Sequence, residues 1–296
     1  MKKKPMVLDE QPKSKAAVVW SVVRELPIVP ILIILIVLII PTIFAELLAP
    51  HNPYSGSLRL RLQPPSFLGG PEGYLLGTDH QGRDILSRMI YGARISSAVA
   101  ASGILIGGSL GIVFGLMAGY FRGWIDAVVS RLVDITLSIP IILIAIAVAT
   151  AAGASLGVLV GLVAYYLWGV YTRQTRAETL KWAESQFVKR AQVVGCSKLR
   201  IMFKHLLPNM VNTIIVLITL QVGFVIVFEA SLSFVGVGVP PPNPAWGLMV
   251  SEGRMFVVSA WWVPLFPGMA IMLTVLSFNM LGDWLRDKLD PKLRQV

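Results

Sequence analysis

Six long uncharged runs of apolar residues constrain the fold of this chain more than any other feature. Each run can cross the hydrocarbon core of a bilayer, which takes about 20 residues in a helix. Since a spanning segment must satisfy its own backbone hydrogen bonds, the runs predict an all-α integral membrane protein with six transmembrane helices. They are residues 26–45, 95–121, two spans within 135–172 that a glycine-rich turn at 153–157 separates, 206–228 and 255–282.

Composition and charge agree with a membrane protein and indicate its orientation. Hydrophobic residues make up 55% of the chain and charged residues 14%, which is too apolar for a soluble protein of this length. Basic residues precede the first run, follow the last and recur from 173 to 204. Because lysine and arginine are enriched in cytoplasmic loops, both termini are predicted on the cytoplasmic side. The net charge of +10 therefore reflects topology, and no nucleic-acid partner is expected.

These spans and charges predict how the chain is organised. The loop 46–94 carries five arginines and is nevertheless placed outside, because the other basic segments agree on one orientation. The predicted order is a cytoplasmic tail at 1–25, a first transmembrane helix at 26–48, an external loop with an amphipathic helix at 49–94, a five-helix core at 95–285 that includes a cytoplasmic segment at 180–209, and a cytoplasmic tail at 286–296.

The polar segment 186–209 carries five basic side chains and no acid. Gly195 can end a first helix in the left-handed conformation, Ser197 can cap a second, and Pro208 is predicted to end the second. The sequence therefore predicts a pair of short amphipathic helices on the cytoplasmic surface, shaped to contact another protein. The apolar residues that recur at helical spacing are Phe187, Ala191, Val194, Leu199, Met202, Phe203 and Leu206.

Glycines in the second span recur every four residues. Such a ridge lets another helix approach closely, either for fixed packing or for sliding as a pore opens and closes, and the sequence leaves both open. One stretch, 107–111, fits the nucleophile string of serine hydrolases, but it lies mid-span without a histidine base. The chain also has no Gly-Lys pair for a P-loop and no cluster of metal ligands, so no catalytic, cofactor or metal site is expected. The ridge consists of Gly103, Gly107, Gly111, Gly115 and Gly119.

Two external elements and one intramembrane acid are candidate functional features. Residues 76–94 are predicted to form an amphipathic helix with a Thr78/Gln81 capping box and an Asp84–Arg88 pair at i,i+4. Residues 239–247 form a stiff proline-rich turn with an interfacial tryptophan. These elements either lie on lipid or form a rim that docks an external partner. Glu229, near the outer end of the fifth span, either lines a polar path or reaches the outer interface.

These motifs together resemble the transmembrane permeases of ABC importers, in particular the C-type subunit of the dipeptide/oligopeptide family. The family's coupling motif is Glu-Ala-Ala, three residues, Gly, nine residues, Ile-x-Leu-Pro. Ala191, Gly195, Leu207 and Pro208 match it at the right spacing, whereas Lys189, Arg190 and His205 depart from it. Further matches lie at 76–88, 232–236, 241–247 and 282–291.

The resemblance implies an N-terminal helix followed by the five-helix core of a type I importer, in a prokaryotic cytoplasmic (inner) membrane. It implies a homologous second permease, two ATPase subunits that bind ATP and Mg²⁺, and an external solute-binding protein. The implied substrates are di- and oligopeptides, with nickel, glutathione or another small solute as alternatives. A secondary carrier would show inverted repeats and mid-membrane ion-binding acids, and neither is found. The chain itself is expected to perform no chemistry.

The resemblance also assigns residues to roles. Those implied to couple to the ATPase are Phe187, Val188, Lys189, Arg190, Ala191, Gly195, Ser197, His205, Leu207 and Pro208. Those implied to form the external docking rim are Thr78, Asp79, Gly82, Arg83, Asp84, Arg88, Pro241, Pro242 and Trp246.

Overall fold

The computed structural model describes residues 26–289. The tail predicted at 1–25 lies outside this range, and of the tail predicted at 286–296 only residues 286–289 are described, as the end of the last helix. Within the described range the chain is helical, with no strand beyond a single bridge between Thr78 and Asp84. The helices are α1 Ile28–Leu48, α2 Ile85–Phe121, α3 Gly123–Ser138, α4 Ile141–Ala152, α5 Leu156–Ala183, α6 Gln186–Val193, α7 Lys198–Val235, α8 Trp246–Gly253 and α9 Trp262–Leu289.

Five of these helices, α1, α2, α5, α7 and α9, are long and apolar enough to cross a membrane. The sixth predicted span is a bent pair, because α3 and α4 meet at 81° across the break at Ile139 and Pro140. Proline disfavours helical conformation in the residue before it, so the chain turns there. The predicted all-α membrane fold is confirmed, while the third span begins earlier and is less straight than the apolar run suggested.

Local signals set several helix ends. Gly153 ends α4 with a φ of +81°, and Ser155 caps α5 by accepting a hydrogen bond from the Val158 N–H at 3.2 Å. Gly236 ends α7 with a φ of +88°, while the Val237 N–H bonds the Leu232 carbonyl at 2.9 Å. That pair of features is a Schellman motif, which satisfies the last carbonyls of the helix.

The amphipathic helix predicted at 76–94 begins only at Ile85, where it forms the start of α2, and residues 76–84 are loop. Asp84 caps α2 by accepting from the Ser87 N–H at 2.8 Å, and the helix then continues without a break to Phe121. It therefore does not lie separately on the lipid. At about 1.5 Å per residue its 37 residues extend about 55 Å, so its two ends lie at opposite ends of the molecule.

The glycine ridge of α2 packs directly against α5. A Cβ atom at Gly107 would lie 2.5 Å from the Ala164 carbonyl oxygen, and one at Gly111 would lie 2.5 Å from the Tyr171 Cβ atom. Distances this short exclude any side chain, so the two helix backbones are in close contact along the ridge. Equivalent contacts occur at Gly103, Gly115 and Gly119.

Candidate functional site

The polar segment after α5 forms a tight turn built on a buried apolar base. We call residues 184–206 the basic turn. Val188 of α6 is fully buried and packs with Ile201, Met202 and Leu206 at the start of α7, and with Leu116 near the end of α2. This contact fixes α6 to the far end of α2.

Gly195 adopts the predicted left-handed conformation, with a φ of +84°. The Gly195 N–H bonds the Gln192 carbonyl, and the Cys196 N–H bonds the Ala191 carbonyl, both at 3.0 Å. This is again the Schellman arrangement. Ser197 then accepts from the Arg200 N–H at 3.4 Å and caps the next helix, as predicted.

The prediction that Pro208 ends a second short helix is wrong. The helix continues through Pro208 to Val235, and a stretch of π-helix at Ile201–Leu206 comes immediately before it. Proline lacks the N–H that would bond the residue four positions earlier, and a widened turn accommodates that loss. The segment is therefore one short helix joined through Gly195 to a helix of 38 residues, about 57 Å long.

The outer face of the basic turn combines apolar and cationic side chains. Val193 and Val194 beside Gly195 are 89% and 82% exposed, and Leu199 is 65% exposed. Around them lie four exposed basic residues, Lys189, Arg190, Lys198 and Arg200. Such a face leaves apolar area in water unless another surface covers it.

One acid is associated with this face. Glu184 accepts a hydrogen bond from Arg122 at 2.6 Å and lies 3.6 Å from the Lys189 ammonium. The hydrogen bond from Arg122, together with the charges of Arg122 and Lys189, lowers the pKa of Glu184. The sequence reading missed both Arg122 and Glu184, because they lie in two different connections that only the fold brings together.

A second group of charges lies at the other end of α2, and we call it the buried charge cluster: Asp79, Arg83, Arg88 and Glu252. Arg83 donates to Asp79 at 2.7 Å and to Glu252 at 3.1 Å. Arg88 bonds Asp79 and lies 2.9 Å from Glu252. Burial alone would raise the pKa of Asp79, but the charges of Arg88 and Arg83 and two backbone N–H donors lower it below its usual value.

The residues predicted to form an external rim are mostly buried. Asp79, Arg83, Asp84 and Arg88 are at most 2% exposed, so they hold the loop together and do not present charges to a partner. Arg88 pairs with Asp79 and Glu252, so the predicted Asp84–Arg88 pair is wrong.

The predicted Thr78/Gln81 capping box is also wrong. The Thr78 hydroxyl accepts from the Gln63 N–H at 2.9 Å and donates to the Leu60 carbonyl, which joins two parts of the loop. Gly82 is left-handed, with a φ of +72°, and a Cβ atom there would collide with the Ser57 carbonyl.

The proline-rich turn differs from its prediction in one respect. Pro241 and Pro242 are exposed as expected, but Trp246 is 1% exposed and is not an interfacial residue. Its indole N–H donates to the Met89 carbonyl at 2.9 Å, so it fixes α8 to α2. Glu252, missed from sequence, follows on the same helix. It is the single acid between Glu229 and Asp283, which is a signal that could have identified it.

Glu229 is buried between α2 and α7. Ser233 donates to one carboxyl oxygen at 2.7 Å and Ser96 of α2 lies 3.4 Å from the other. The side chain is 1% exposed, so within the described part of the chain it reaches neither an open path nor the outer surface. It forms a polar contact between two long helices.

One group of side chains has the composition of a metal site. Asp79, His80 and Glu252 bring their ligand atoms within 4.8 Å of one another. Both carboxylates, however, are already paired with Arg83 and Arg88, whose positive charges oppose a cation. The donor set therefore does not favour a metal.

Comparison with known proteins places this architecture in a family. A family profile described as "Binding-protein-dependent transport system inner membrane component" matches residues 111–295. The chain is 39% identical over 255 residues to the di/tripeptide transport system permease protein DppC of Pseudomonas aeruginosa, covering 86% of this chain and 84% of that protein.

Two further relatives are also transport system permease proteins. The dipeptide transport system permease protein DppC of Alkalihalophilus pseudofirmus is 42% identical, over 85% of this chain and 81% of its own length. The glutathione transport system permease protein GsiD of Pectobacterium atrosepticum is 38% identical, over 76% of this chain and 75% of its own. The chain therefore belongs to the family of binding-protein-dependent transport system inner membrane components, with the all-α fold of a type I ABC importer permease.

Proposed function

We propose that this chain forms half of the translocation pathway of an ATP-driven importer of di- and oligopeptides. The observation that carries the proposal is the basic turn, an exposed apolar and cationic face at the junction of two long helices. A permease needs an energy source, and this chain has no Gly-Lys pair from which to build a P-loop. A separate ATPase bound at the basic turn supplies it.

The proposed complex has five protein components. This chain pairs with a homologous second permease, two ATPase subunits bind on the cytoplasmic side with ATP and Mg²⁺, and a solute-binding protein delivers peptide from outside. The complex lies in a prokaryotic inner membrane with both termini of this chain in the cytoplasm. ATP binding closes the ATPases, moves α6, and through Gly195 and α7 shifts the helices that line the pathway.

Peptide is the preferred substrate class because two of the relatives above carry dipeptide or di/tripeptide in their names. Glutathione is a second candidate, favoured by the similarity to a glutathione permease. Nickel and other small solutes remain alternatives from the sequence resemblance alone. Glutathione is itself a tripeptide, so the two leading candidates share backbone and carboxylate chemistry.

Recovery of the complex from native membranes tests this proposal. An affinity-tagged chain should bring down a homologous permease and ATPase subunits, and vesicles containing the whole complex with its binding protein should take up labelled dipeptide only with ATP inside. Competition by unlabelled dipeptide, glutathione and nickel then ranks the substrates. Recovery of the chain as a lone oligomer that transports without an ATPase would contradict the proposal.

A further inference from the structure

The basic turn has an excess of positive charge that the described residues, 26–289, do not neutralise. Residues 184–206 contain five basic side chains and one acid, Glu184. Two of the basic residues, Lys189 and Arg190, stand where the coupling motif has glutamate and alanine. The positive charge at these two positions is therefore an addition to what the motif itself carries.

The one acid within the basic turn already has partners. Glu184 is shared between Arg122 and Lys189 at 2.6 and 3.6 Å. Lys198 lies over the Phe121 ring, 5.5 Å from its centre. Within residues 26–289, Arg190 and Arg200 have no ion-pair partner, although both are exposed. Their charges are available to a second surface.

Three apolar side chains lie among these cations. Val193, Val194 and Leu199 are the strongly exposed apolar residues on either side of Gly195. A surface that covers them must be apolar at its centre, and it must carry acids around that centre to meet Arg190 and Arg200.

A lipid surface fits this face less well than a protein. The uncharged stretch of α5 ends at Thr172, and the helix continues for 11 residues from Arg173 to Ala183, which is about 16 Å at 1.5 Å per residue. The basic turn follows Ala183 and so lies beyond the edge of the apolar core. The charged residues of this stretch separate the valines from the uncharged part of α5.

We propose that the basic turn docks into an apolar groove with an acidic rim on the ATPase subunit, and that this charge pairing determines which ATPase the chain accepts. The inference rests on the proposed function, since it specifies the partner surface of the same site. An ATPase with a neutral or basic rim would be rejected, because like charges across an interface disfavour the wrong partner.

Reversing one charge in the intact complex tests the proposal. Arg190 is chosen because its replacement breaks no ion pair within residues 26–289. The control is Arg286, an exposed residue near the end of α9, because Arg286→Glu changes the net charge by the same amount. At about 0.1 M salt, Arg190→Glu should lower recovery of the ATPase about tenfold or more, Arg190→Gln should lower it less, and Arg286→Glu should leave it unchanged. Raising the salt should weaken the wild-type complex and narrow these differences.

Zero-length carbodiimide cross-linking identifies the partner groups directly. In the assembled complex, Lys198 should join an aspartate or glutamate of the ATPase, and Lys198→Gln should remove that cross-link. If the Arg190→Glu chain recovers as much ATPase as the wild type, if that recovery does not depend on salt, and if no such cross-link forms, the acidic rim is wrong while the proposed function stands. A wild-type chain that recovers no ATPase would contradict the proposed function itself.

A vesicle experiment separates the lipid alternative. A cysteine at Val194, in a Cys196→Ala background, should react with a water-soluble thiol reagent equally fast in neutral and anionic vesicles containing the permease without ATPase. Adding the ATPase should slow the reaction. Protection by anionic lipid alone would show that the face binds the membrane, and would overturn the proposal.

Discussion

The two ends of α2 carry charges that are used in opposite ways. At its start, two acids and two arginines of the buried charge cluster pair with one another, and Asp79, Arg83 and Arg88 are almost inaccessible to solvent. At its end, the basic turn exposes cations most of which have no acidic partner within residues 26–289. Charges that are balanced within the chain stabilise its fold, whereas charges left unbalanced and exposed are available to a partner.

The contrast extends to what each group connects. The buried charge cluster joins the loop before α2 to Glu252 of α8, so that the loop and the helix hold one arrangement. Desolvating four charges is costly, and an arrangement of this kind is retained where removing one partner would leave the others unpaired. The basic turn, in contrast, is held by an apolar base around Val188 and leaves its charged face uncovered.

The orientation of the chain in the membrane provides the test with the largest expected effect, because a cysteine is either labelled by the thiol reagent or not labelled at all. In a Cys196→Ala background, cysteines at the exposed positions Ser57 or Asn243 should react with an impermeant thiol reagent on intact cells. A cysteine at Val194 should react only after permeabilisation, because the positive-inside pattern predicts that the basic turn lies in the cytoplasm. If Val194→Cys is labelled from outside, the two regions lie on the sides opposite to those proposed, and a cytoplasmic ATPase cannot bind at the basic turn.

Arg88→Ala should be the most destabilising single change. It leaves Asp79 and Glu252 with Arg83 alone in a buried environment, and breaking a buried ion pair costs about 3–5 kcal/mol. Arg59→Ala, at an exposed position in the same loop, is the matched control and should be nearly neutral. Thermal unfolding of the purified protein in detergent measures both. Equal melting temperatures for the two variants would mean that the cluster does not stabilise the fold.

Gly111→Ala tests the helix contact that links the two regions. The added methyl group would lie 2.5 Å from Tyr171 Cβ and 2.7 Å from the Trp168 carbonyl oxygen, so α2 and α5 must separate. Overpacking of this kind costs about 1–3 kcal/mol.

Gly161→Ala is the control for this change. Gly161 is helical with no neighbour within 4 Å of the added atom, so the substitution should be neutral or stabilising by up to about 1 kcal/mol. If both variants melt at the same temperature, the glycine ridge does not fix the spacing of the helices. If Gly111→Ala keeps the wild-type stability but changes peptide uptake, the result would favour the alternative in which the glycine ridge lets the helices slide.

The features that sequence predicted well are set by local chemistry. The apolar runs predicted the spans, and Gly195 and Ser197 predicted the helix end and cap, because each depends on residues a few positions away. The close approach at the glycine ridge also followed from spacing along a single helix.

The predictions that were wrong concern partners that are distant in sequence. Arg88 pairs with Glu252, which is 164 positions away, and not with Asp84 on its own helix. Thr78 bonds a neighbouring part of the loop, where tertiary contacts replaced the capping box. Pro208 did not end its helix, because the widened turn of the π-helical stretch before it accommodates the hydrogen bond that proline cannot make. Spacing rules cannot anticipate such compensation.

Gly195→Val should have the smallest effect on stability and a decisive one on coupling. A β-branched residue in the left-handed region costs about 1–2 kcal/mol, and the strain falls on the turn, because no atom within 4 Å would meet the new Cβ. We therefore expect normal expression and an unchanged buried charge cluster, with ATPase stimulation and uptake both lost in reconstituted vesicles.

Gly195→Asn is the matched control for the last prediction, because asparagine tolerates the left-handed conformation and adds a side chain of similar size. It should keep most of the uptake that valine abolishes, since the space around Gly195 is open. If asparagine fails as valine does, the position requires the absence of a side chain, as it would where the ATPase surface packs against Gly195 itself. If valine transports normally, the geometry of the basic turn is not needed for coupling. The difference between the paired charges at the start of α2 and the exposed charges at its end would then have no demonstrated role in coupling.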